Sequence, residues 1–198
     1  MTETFLSIFN YNVTPPASLR VKPFMPLREF NLLATTARGS EEDACSEIWY
    51  LIGDLGDREV KVDKTGITGL IAAKTALDPF EVIEKFRTLL KEKPYEFRYT
   101  LRVIPIEKVV RTDLTDIEQA VAELSSKIGE DETFRVTVEK RFTSTSTEDI
   151  IEIAAARIHR KVDLANPDKI VLVEVVGGFT GVSVIKPKDI FSTTKERM

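Results

Sequence analysis

The chain has 198 residues, of which 42% are apolar, and 28 Lys and Arg against 32 Asp and Glu give a formal charge of −4 at pH 7. This composition predicts a globular chain of one domain or two small ones and excludes a disordered chain, a disulfide framework and a His-pair metal motif, since there is one Cys and one His. No apolar run approaches the roughly 18–20 residues of a membrane span and no secretory signal opens the chain, so we expect a cytoplasmic protein without a membrane partner.

The N-terminal half predicts an arm followed by a small α+β domain. Residues 1–27 contain prolines at four positions, which favour an extended N-terminal arm. A strand is predicted at residues 30–36, and a helix follows with Ser40 as its N-cap. Two further strands, a helix that begins at Asp78-Pro79 and a last strand complete the order βαββαβ. This order predicts a ferredoxin-like domain over residues 28–112.

The second half, residues 113–198, predicts another α/β unit. Thr115 and Glu118 have the spacing of a capping box at the start of an amphipathic helix. An alternating strand from residue 134 runs into the hydroxyl-rich loop 143–147, where Ser146 is the predicted cap of the next helix. Residues 170–176 are nearly all apolar and predict a strand buried on both faces, and a last strand covers residues 182–186.

The excess of negative over positive charge is confined to two segments that each predict a helix. Residues 41–60 and 112–132 each carry a net charge of −6, whereas the segments 1–40, 61–111 and 133–198 carry +2, +4 and +2. Local basic surfaces can bind phosphate groups despite an acidic total. Lys140 and Arg141 adjoin the hydroxyl loop and a helix N-terminus, a combination that suits a phosphate, although basic residues such as Arg157 also favour helix C-termini for dipole reasons alone.

The second unit resembles the THUMP domain, an RNA-binding module of tRNA-modifying proteins. The resemblance rests on FRVTVEKRFTSTSTEDIIEIAAARIHRKVDLANPDKIVLVEVVGGFTGVSV, residues 134–184: a strand with a basic end, a Ser/Thr-capped helix, an apolar strand and a hairpin strand. The first unit, through LLATTARGSEEDACSEI at residues 32–48, is similar to the ferredoxin-like domain that accompanies THUMP. Its strand, Arg-Gly turn and acidic helix resemble the stand-alone THUMP proteins that assist tRNA N4-acetylcytidine formation.

This resemblance implies a non-catalytic adaptor that binds the acceptor stem and 3′ end of tRNA and presents it to a modifying enzyme. The enzyme, an RNA acetyltransferase or another tRNA-modifying enzyme, would act in trans, since no catalytic domain follows in this sequence. Carried onto this chain, the implied phosphate contacts and hydroxyl donors form a single basic corner, with Arg38 of the first unit as an additional contact. They are Lys140, Arg141, Thr143, Ser144, Ser146, Arg157, Arg160 and Lys161.

Two other functions remain open from the residues. The chain lacks a P-loop, a nucleophile elbow and the zinc deaminase pattern, so we expect no cofactor and no metal. An acylphosphatase-like small hydrolase would hold a phosphate with Arg38, but no Asn is evidently paired with that residue. A protein-interaction scaffold without RNA is the other alternative. His159 and Cys45 are expected to be a surface residue and a core residue.

Overall fold

The structure, a computed structural model, describes residues 28–197, and the predicted arm over residues 1–27 lies outside them. Within the described part the fold is mixed α+β, with two sheets and five helices. The strands are β1 Leu32–Thr36, β2 Lys61–Lys64, β3 Leu70–Lys74, β4 Thr100–Pro105, β5 Lys108–Arg111, β6 Phe134–Arg141, β7 Lys169–Val176, β8 Phe179–Ile185 and β9 Phe191–Ser192. The helices are α1 Glu41–Asp54, α2 Pro79–Glu92, α3 Leu114–Leu124, α4 Thr147–Ala156 and α5 Thr193–Glu196. None of the helices in residues 28–197 is long and apolar enough to cross a membrane.

The first sheet has the order β2-β3-β1-β4-β9, and all its neighbouring strands are antiparallel. Helices α1 and α2 cover one of its faces and close a core around Leu32, Ile48 and Phe86. Local sequence sets where α2 begins, because the Asp78 carboxylate accepts hydrogen bonds from the backbone N–H groups of Phe80 and Glu81.

The second sheet has the order β5-β8-β7-β6, in which β6 and β7 are parallel and the other pairs antiparallel. Helix α4 makes the crossover between the parallel strands and packs with α3 on one face of the sheet. Six of the eight residues of β7 are buried, because this strand has neighbours on both edges and apolar cores on both faces.

The two sheets pack against each other through the faces that their helices leave uncovered. Leu33 and Ile104 from the first sheet share a buried cluster with Leu172 and Ile185 from the second. Successive side chains of a strand point to opposite faces, so Leu32 and Val171 belong to the helix-covered cores while Leu33 and Leu172 meet between the sheets. The described residues therefore form four layers, helices outside and sheets inside.

The chain returns to the first sheet after completing the second. Strand β9 pairs with β4, and the Phe191 side chain is fully buried against the rings of Phe86 and Phe97. Near the other boundary β5 belongs to the second sheet, although it precedes residue 113. Membership of the two sheets is thus set by long-range pairing at both boundaries.

Several local predictions need correction. Asp113, not Thr115, caps α3, because its carboxylate accepts from the N–H groups of Thr115 and Asp116. The apolar pattern of α4 predicts that Ile151 lies in the core together with Ile150, but Ile151 is 39% exposed. Gly177 and Gly178 predict a flexible connection, but they form a tight turn, and β8 begins at Phe179 rather than at residue 182.

Candidate nucleic-acid interface

The topology of the second sheet separates the predicted basic corner into two sites. Strands β6 and β7 are parallel, so α4 begins at the C-terminal end of β6 and ends beside its N-terminal end. Consistent with this, the backbone N–H of Phe134, the first residue of β6, donates to the carbonyl oxygen of Lys161. Seven residue steps along β6 correspond to about 23 Å. The prediction that Lys140 and Lys161 belong to one basic corner is therefore wrong, because they lie at opposite ends of β6.

We call the first site the loop end: Lys140, Arg141, residues 142–146 and the first turn of α4. The Lys140 side chain is exposed and its Nζ donates to the Thr145 carbonyl oxygen at 3.0 Å, which holds the ammonium group over the hydroxyl loop. The first turn of α4 places the positive end of its helix dipole at the same end of the sheet, together with its own carboxylates Glu148 and Asp149. Basic charge, a helix N-terminus and a hydroxyl loop are thus brought together here as predicted.

Arg141 is held by a buried carboxylate. Its Nη1 donates to Glu174 Oε2 at 2.8 Å, and the Glu174 side chain is fully buried while that of Arg141 is 26% exposed. Burial raises the pKa of Glu174, and the hydrogen bond from Arg141 opposes this shift. A charge-assisted bond to an enclosed partner fixes the guanidinium in one orientation at the sheet edge. The Arg141 side chain is therefore held in place at the end of β6 while part of its surface stays open to solvent.

The hydroxyl groups of the loop differ in their availability. Thr143 Oγ1 accepts from the Thr145 N–H at 3.2 Å and donates to Thr145 Oγ1, so it stabilises the turn itself. Ser146 Oγ accepts from the Asp149 N–H and donates to Glu148 Oε2, which lowers the pKa of Glu148. Ser146 therefore serves as the cap of α4, and Ser144 is the exposed residue of the three.

The loop end also contains an aromatic residue that the sequence did not single out. Phe142 is 80% exposed and has φ 55, a left-handed backbone conformation that costs a non-glycine residue about 1–2 kcal/mol. Because the Phe142 ring is mostly exposed, its burial contributes little free energy to offset this backbone strain. A base can stack on such a ring, and its place between Lys140-Arg141 and the hydroxyl loop was the available sequence signal.

Arg111 lies at the same end of the second sheet as the loop end, on the opposite edge strand β5. Strands β5 and β7 are both antiparallel to β8, so the C-terminal end of β5 is level with that of β7. Thr112 joins this end to the β7–β8 turn, because its Oγ1 donates to the Gly177 carbonyl oxygen at 2.8 Å. The exposed Arg111 therefore extends the basic edge across the sheet. It was missed because β5 itself was not predicted.

The second site, the Arg160 end, consists of Arg157, Arg160 and Lys161. Arg157 Nε is paired with Glu118 Oε1 at 2.8 Å. Arg160 donates to three backbone carbonyl oxygens, those of Ile128, Gly129 and His159. These two guanidinium groups thus stabilise the end of α4 and the adjoining turn, while Lys161 and His159 are exposed. Contacts within the protein therefore account for the positions of Arg157 and Arg160 without a bound ligand.

Arg38 lies in the first unit at a turn that an internal carboxylate already occupies. Glu41 Oε1 accepts from the N–H groups of Gly69 at 2.7 Å and Gly39 at 3.3 Å, and these bonds lower the pKa of Glu41. A phosphate held by this turn would compete with that carboxylate for the same donors. The arrangement disfavours the acylphosphatase-like alternative. Ser40 takes the N-cap position of α1 but makes no side-chain capping bond.

Cys45 is a half-buried residue packed against the first core, as expected. Burial, together with the nearby Glu42 carboxylate, raises the pKa of its thiol to about 12. Within residues 28–197 no group of three or more His, Cys, Asp or Glu side chains is placed to hold a metal ion.

Comparisons with known proteins identify the second unit. The sequence model of the THUMP domain family matches residues 111–185. The uncharacterized protein MJ0421 of Methanocaldococcus jannaschii is 34% identical over 116 residues, which cover 54% of this chain and 31% of that protein. The chain therefore spans about a third of the length of this relative.

Solved structures share the fold over most of the chain. PH1313 from Pyrococcus horikoshii Ot3 matches with a TM-score of 0.58 and 16% identity over 80% of this chain and 55% of that one. A 4-thiouridine synthetase, solved as an RNA complex with bound ATP, matches with a TM-score of 0.52 and 17% identity over 80% of this chain and 42% of that one. With the family match and these shared folds, residues 111–185 of the chain form a THUMP domain.

Proposed function

We propose that the protein is a tRNA-binding adaptor and that the loop end of its THUMP domain is the RNA contact. The observation that carries the proposal is that Lys140, the hydrogen-bonded guanidinium of Arg141 and the exposed ring of Phe142 all lie at one end of the sheet, where β6 ends. THUMP domains bind RNA, and one protein that shares this fold was solved in complex with RNA. Duplex RNA offers phosphates and 2′-hydroxyls, so such an edge suits recognition by shape and charge.

The proposal has a finer part. The first unit belongs to the ferredoxin-like class, which its element order and its strand order β2-β3-β1-β4 support. The protein then holds the acceptor stem and 3′ end of tRNA for a modifying enzyme that acts in trans, and the modification is cytidine N4-acetylation. The support for this last step is the resemblance of the strand, Arg-Gly turn and acidic helix at residues 32–48 to the stand-alone THUMP adaptors.

RNA binding is tested by titrating labelled tRNA with the full chain at several salt concentrations. Each lost phosphate contact lowers the slope of log affinity against log salt by about one. We expect the double variant Arg111→Gln, Lys140→Gln to reduce the magnitude of this negative slope by about two. The pair Lys91→Gln, Lys93→Gln, two exposed lysines near the end of α2, should leave it unchanged. Equal losses from both pairs would reject the loop end as the RNA contact.

The Arg160 end provides the second arm of the same titration. Arg157→Gln with Lys161→Gln removes two charges from the opposite end of the sheet, and we expect a smaller change in slope than from the loop-end pair.

The adaptor role needs a separate experiment, in which a purified RNA acetyltransferase modifies tRNA with and without the full chain. Acetylation that proceeds equally without the chain would reject the adaptor role while leaving RNA binding intact.

A further inference from the structure

The outer face of α1 exposes two large aromatic side chains side by side. Trp49 is 55% exposed and Tyr50 is 52% exposed, on a helix whose opposite face is buried through Ala44, Ile48, Leu51 and Ile52. Ser46 and Gly53, one turn before and one turn after, lie on the same outer face, so small residues leave the two rings accessible. Helix α1 therefore buries one apolar face in the core and exposes a second, aromatic surface to solvent.

The charged side chains of α1 itself are all acidic, while Lys64 and Arg98 of neighbouring segments lie beside the helix. Helix α1 contains no Lys or Arg; its exposed Glu42 is paired with Lys64 at 2.7 Å, whereas the exposed Asp43 and Asp54 form no ion pair with another described residue. Acidic residues in a first helical turn interact favourably with the helix dipole, which explains Glu42 and Asp43. Asp54 lies in the last turn, where the dipole disfavours a carboxylate, so helix stability does not explain it.

The neighbouring segment extends the aromatic surface. The Glu47 carboxylate accepts hydrogen bonds from the backbone N–H groups of Arg98, Tyr99 and Thr100 at 2.7–3.0 Å, which fastens residues 98–100 to the side of α1. Tyr99 is 37% exposed beside this contact. The rings are therefore mounted on a rigid support, because both elements are anchored in the first core through Ile48 and Val103.

We propose that the outer face of α1 is a docking surface for an arginine- and lysine-bearing segment of a partner protein. Aromatic faces attract guanidinium and ammonium groups, and carboxylates at both ends of the helix complete the charge match. The same carboxylates repel the phosphates of RNA, so the observations favour a basic protein segment over nucleic acid. The proposal goes beyond tRNA binding and stands independently of it, since the surface belongs to the first unit and the loop end to the second.

The experiment uses Trp49, the single tryptophan of the chain, as the reporter. The full-length protein is titrated with a short peptide of arginine and leucine residues, which has no aromatic side chain of its own, and tryptophan emission is followed. We expect a saturable change in emission that weakens with added salt. A peptide with glutamate in place of arginine should give no change. A flat titration with the arginine peptide overturns the proposal.

Variants localise the effect. Asp43→Asn with Asp54→Asn should weaken peptide binding about fivefold, the effect of losing two exposed ion pairs. Tyr50→Ala should weaken it about threefold through the lost cation–π contact. The matched control is Glu130→Gln with Asp131→Asn, two exposed acids of the other acidic block, which should leave binding unchanged. An equal loss in this control would reduce the effect to net charge and reject the site.

Two further outcomes would also overturn the proposal. If tRNA changes Trp49 emission saturably and competes with the peptide, the surface belongs to RNA. If acrylamide fails to quench Trp49 in the full-length protein, a segment of the chain itself covers the ring. We expect efficient quenching by acrylamide and no response of Trp49 to tRNA.

Discussion

Glu174 is a carboxyl group enclosed between the two sheets, and its environment makes a prediction about pH. Desolvation raises its pKa above the ordinary 4.5, so folding favours the neutral form. The resulting stabilisation is complete below pH 4.5 and is lost as pH rises through the raised value, because the unfolded chain ionises first. The variant Glu174→Gln has no such group. Its free energy of unfolding, measured in urea at several pH values, should therefore rise relative to the original protein from pH 4.5 toward neutrality.

Glu148 supplies a control of opposite sign. The hydroxyl of Ser146 lowers the pKa of Glu148, so the stability that this carboxylate contributes is present above pH 4.5 and is lost as pH falls through the lowered value. The difference between the original protein and Glu148→Gln should thus change at acid pH and not on the way to neutrality. Parallel pH profiles for the original protein and Glu174→Gln would contradict the assignment of a raised pKa to Glu174.

At Phe142 we expect one substitution to affect protein stability and tRNA binding in opposite directions. Glycine adopts a positive φ without steric cost, so Phe142→Gly should keep or raise the free energy of unfolding, by up to about 1 kcal/mol. The same change removes the stacking surface and should weaken tRNA binding by about 1–3 kcal/mol. Urea unfolding and tRNA titration measure the two effects. Leu164→Ala changes another exposed apolar residue, near the Arg160 end, and should alter neither quantity. A loss of stability without loss of binding in Phe142→Gly would assign Phe142 a structural role.

At the scale of one element, the stability of α4 depends on its N-cap Ser146. Two substitutions distinguish this capping role from a role in RNA binding. Ser146→Ala removes the oxygen that accepts from the Asp149 N–H and should lower the free energy of unfolding by about 1 kcal/mol. Ser146→Asp keeps an N-cap acceptor, so stability should be retained. It also places a negative charge at the loop end, and tRNA affinity should fall. Unchanged affinity in the aspartate variant would argue against phosphate binding at this end of the sheet.

Element positions were predictable where the signal is local. The periodicity of Ile48 and Leu51, the cap at Asp78 and the apolar run of β7 each depend on neighbouring residues. The short strands β5 and β9 could not be predicted in this way, because four and two residues carry little pattern and their partners are distant in sequence. Strand β9, for example, pairs with β4.

The candidate site was predictable in its residue types but not in its geometry. Lys140, Arg141 and the hydroxyl loop are adjacent in sequence, so their proximity follows from the chain itself. Whether Arg160 joins them depends on the direction of α4 relative to β6, which only the parallel pairing of β6 with β7 determines. The ion pair of Arg141 with Glu174 likewise joins residues 33 positions apart, across two strands.

For the whole molecule, the buried cluster between the sheets predicts that the two units unfold together. Leu172 belongs to the second sheet, is fully buried and packs in the cluster that includes Leu33 and Ile104 of the first. Leu172→Ala should cost about 2–5 kcal/mol. Trp49 lies in the first unit, so its emission during urea unfolding tests whether a cavity in the second unit also lowers the stability of the first.

With cooperative units, the Leu172→Ala variant should shift the urea midpoint reported by Trp49 as far as the midpoint reported by far-ultraviolet circular dichroism, which follows both units. Leu164→Ala, whose side chain is 73% exposed in the same unit, should shift neither. A Trp49 midpoint that stays in place while the dichroism midpoint falls would mean that the sheets separate before the first unit unfolds. In that case the orientation of the loop end relative to α1 would not be fixed by the fold, and tRNA and a basic partner would bind to independently moving units.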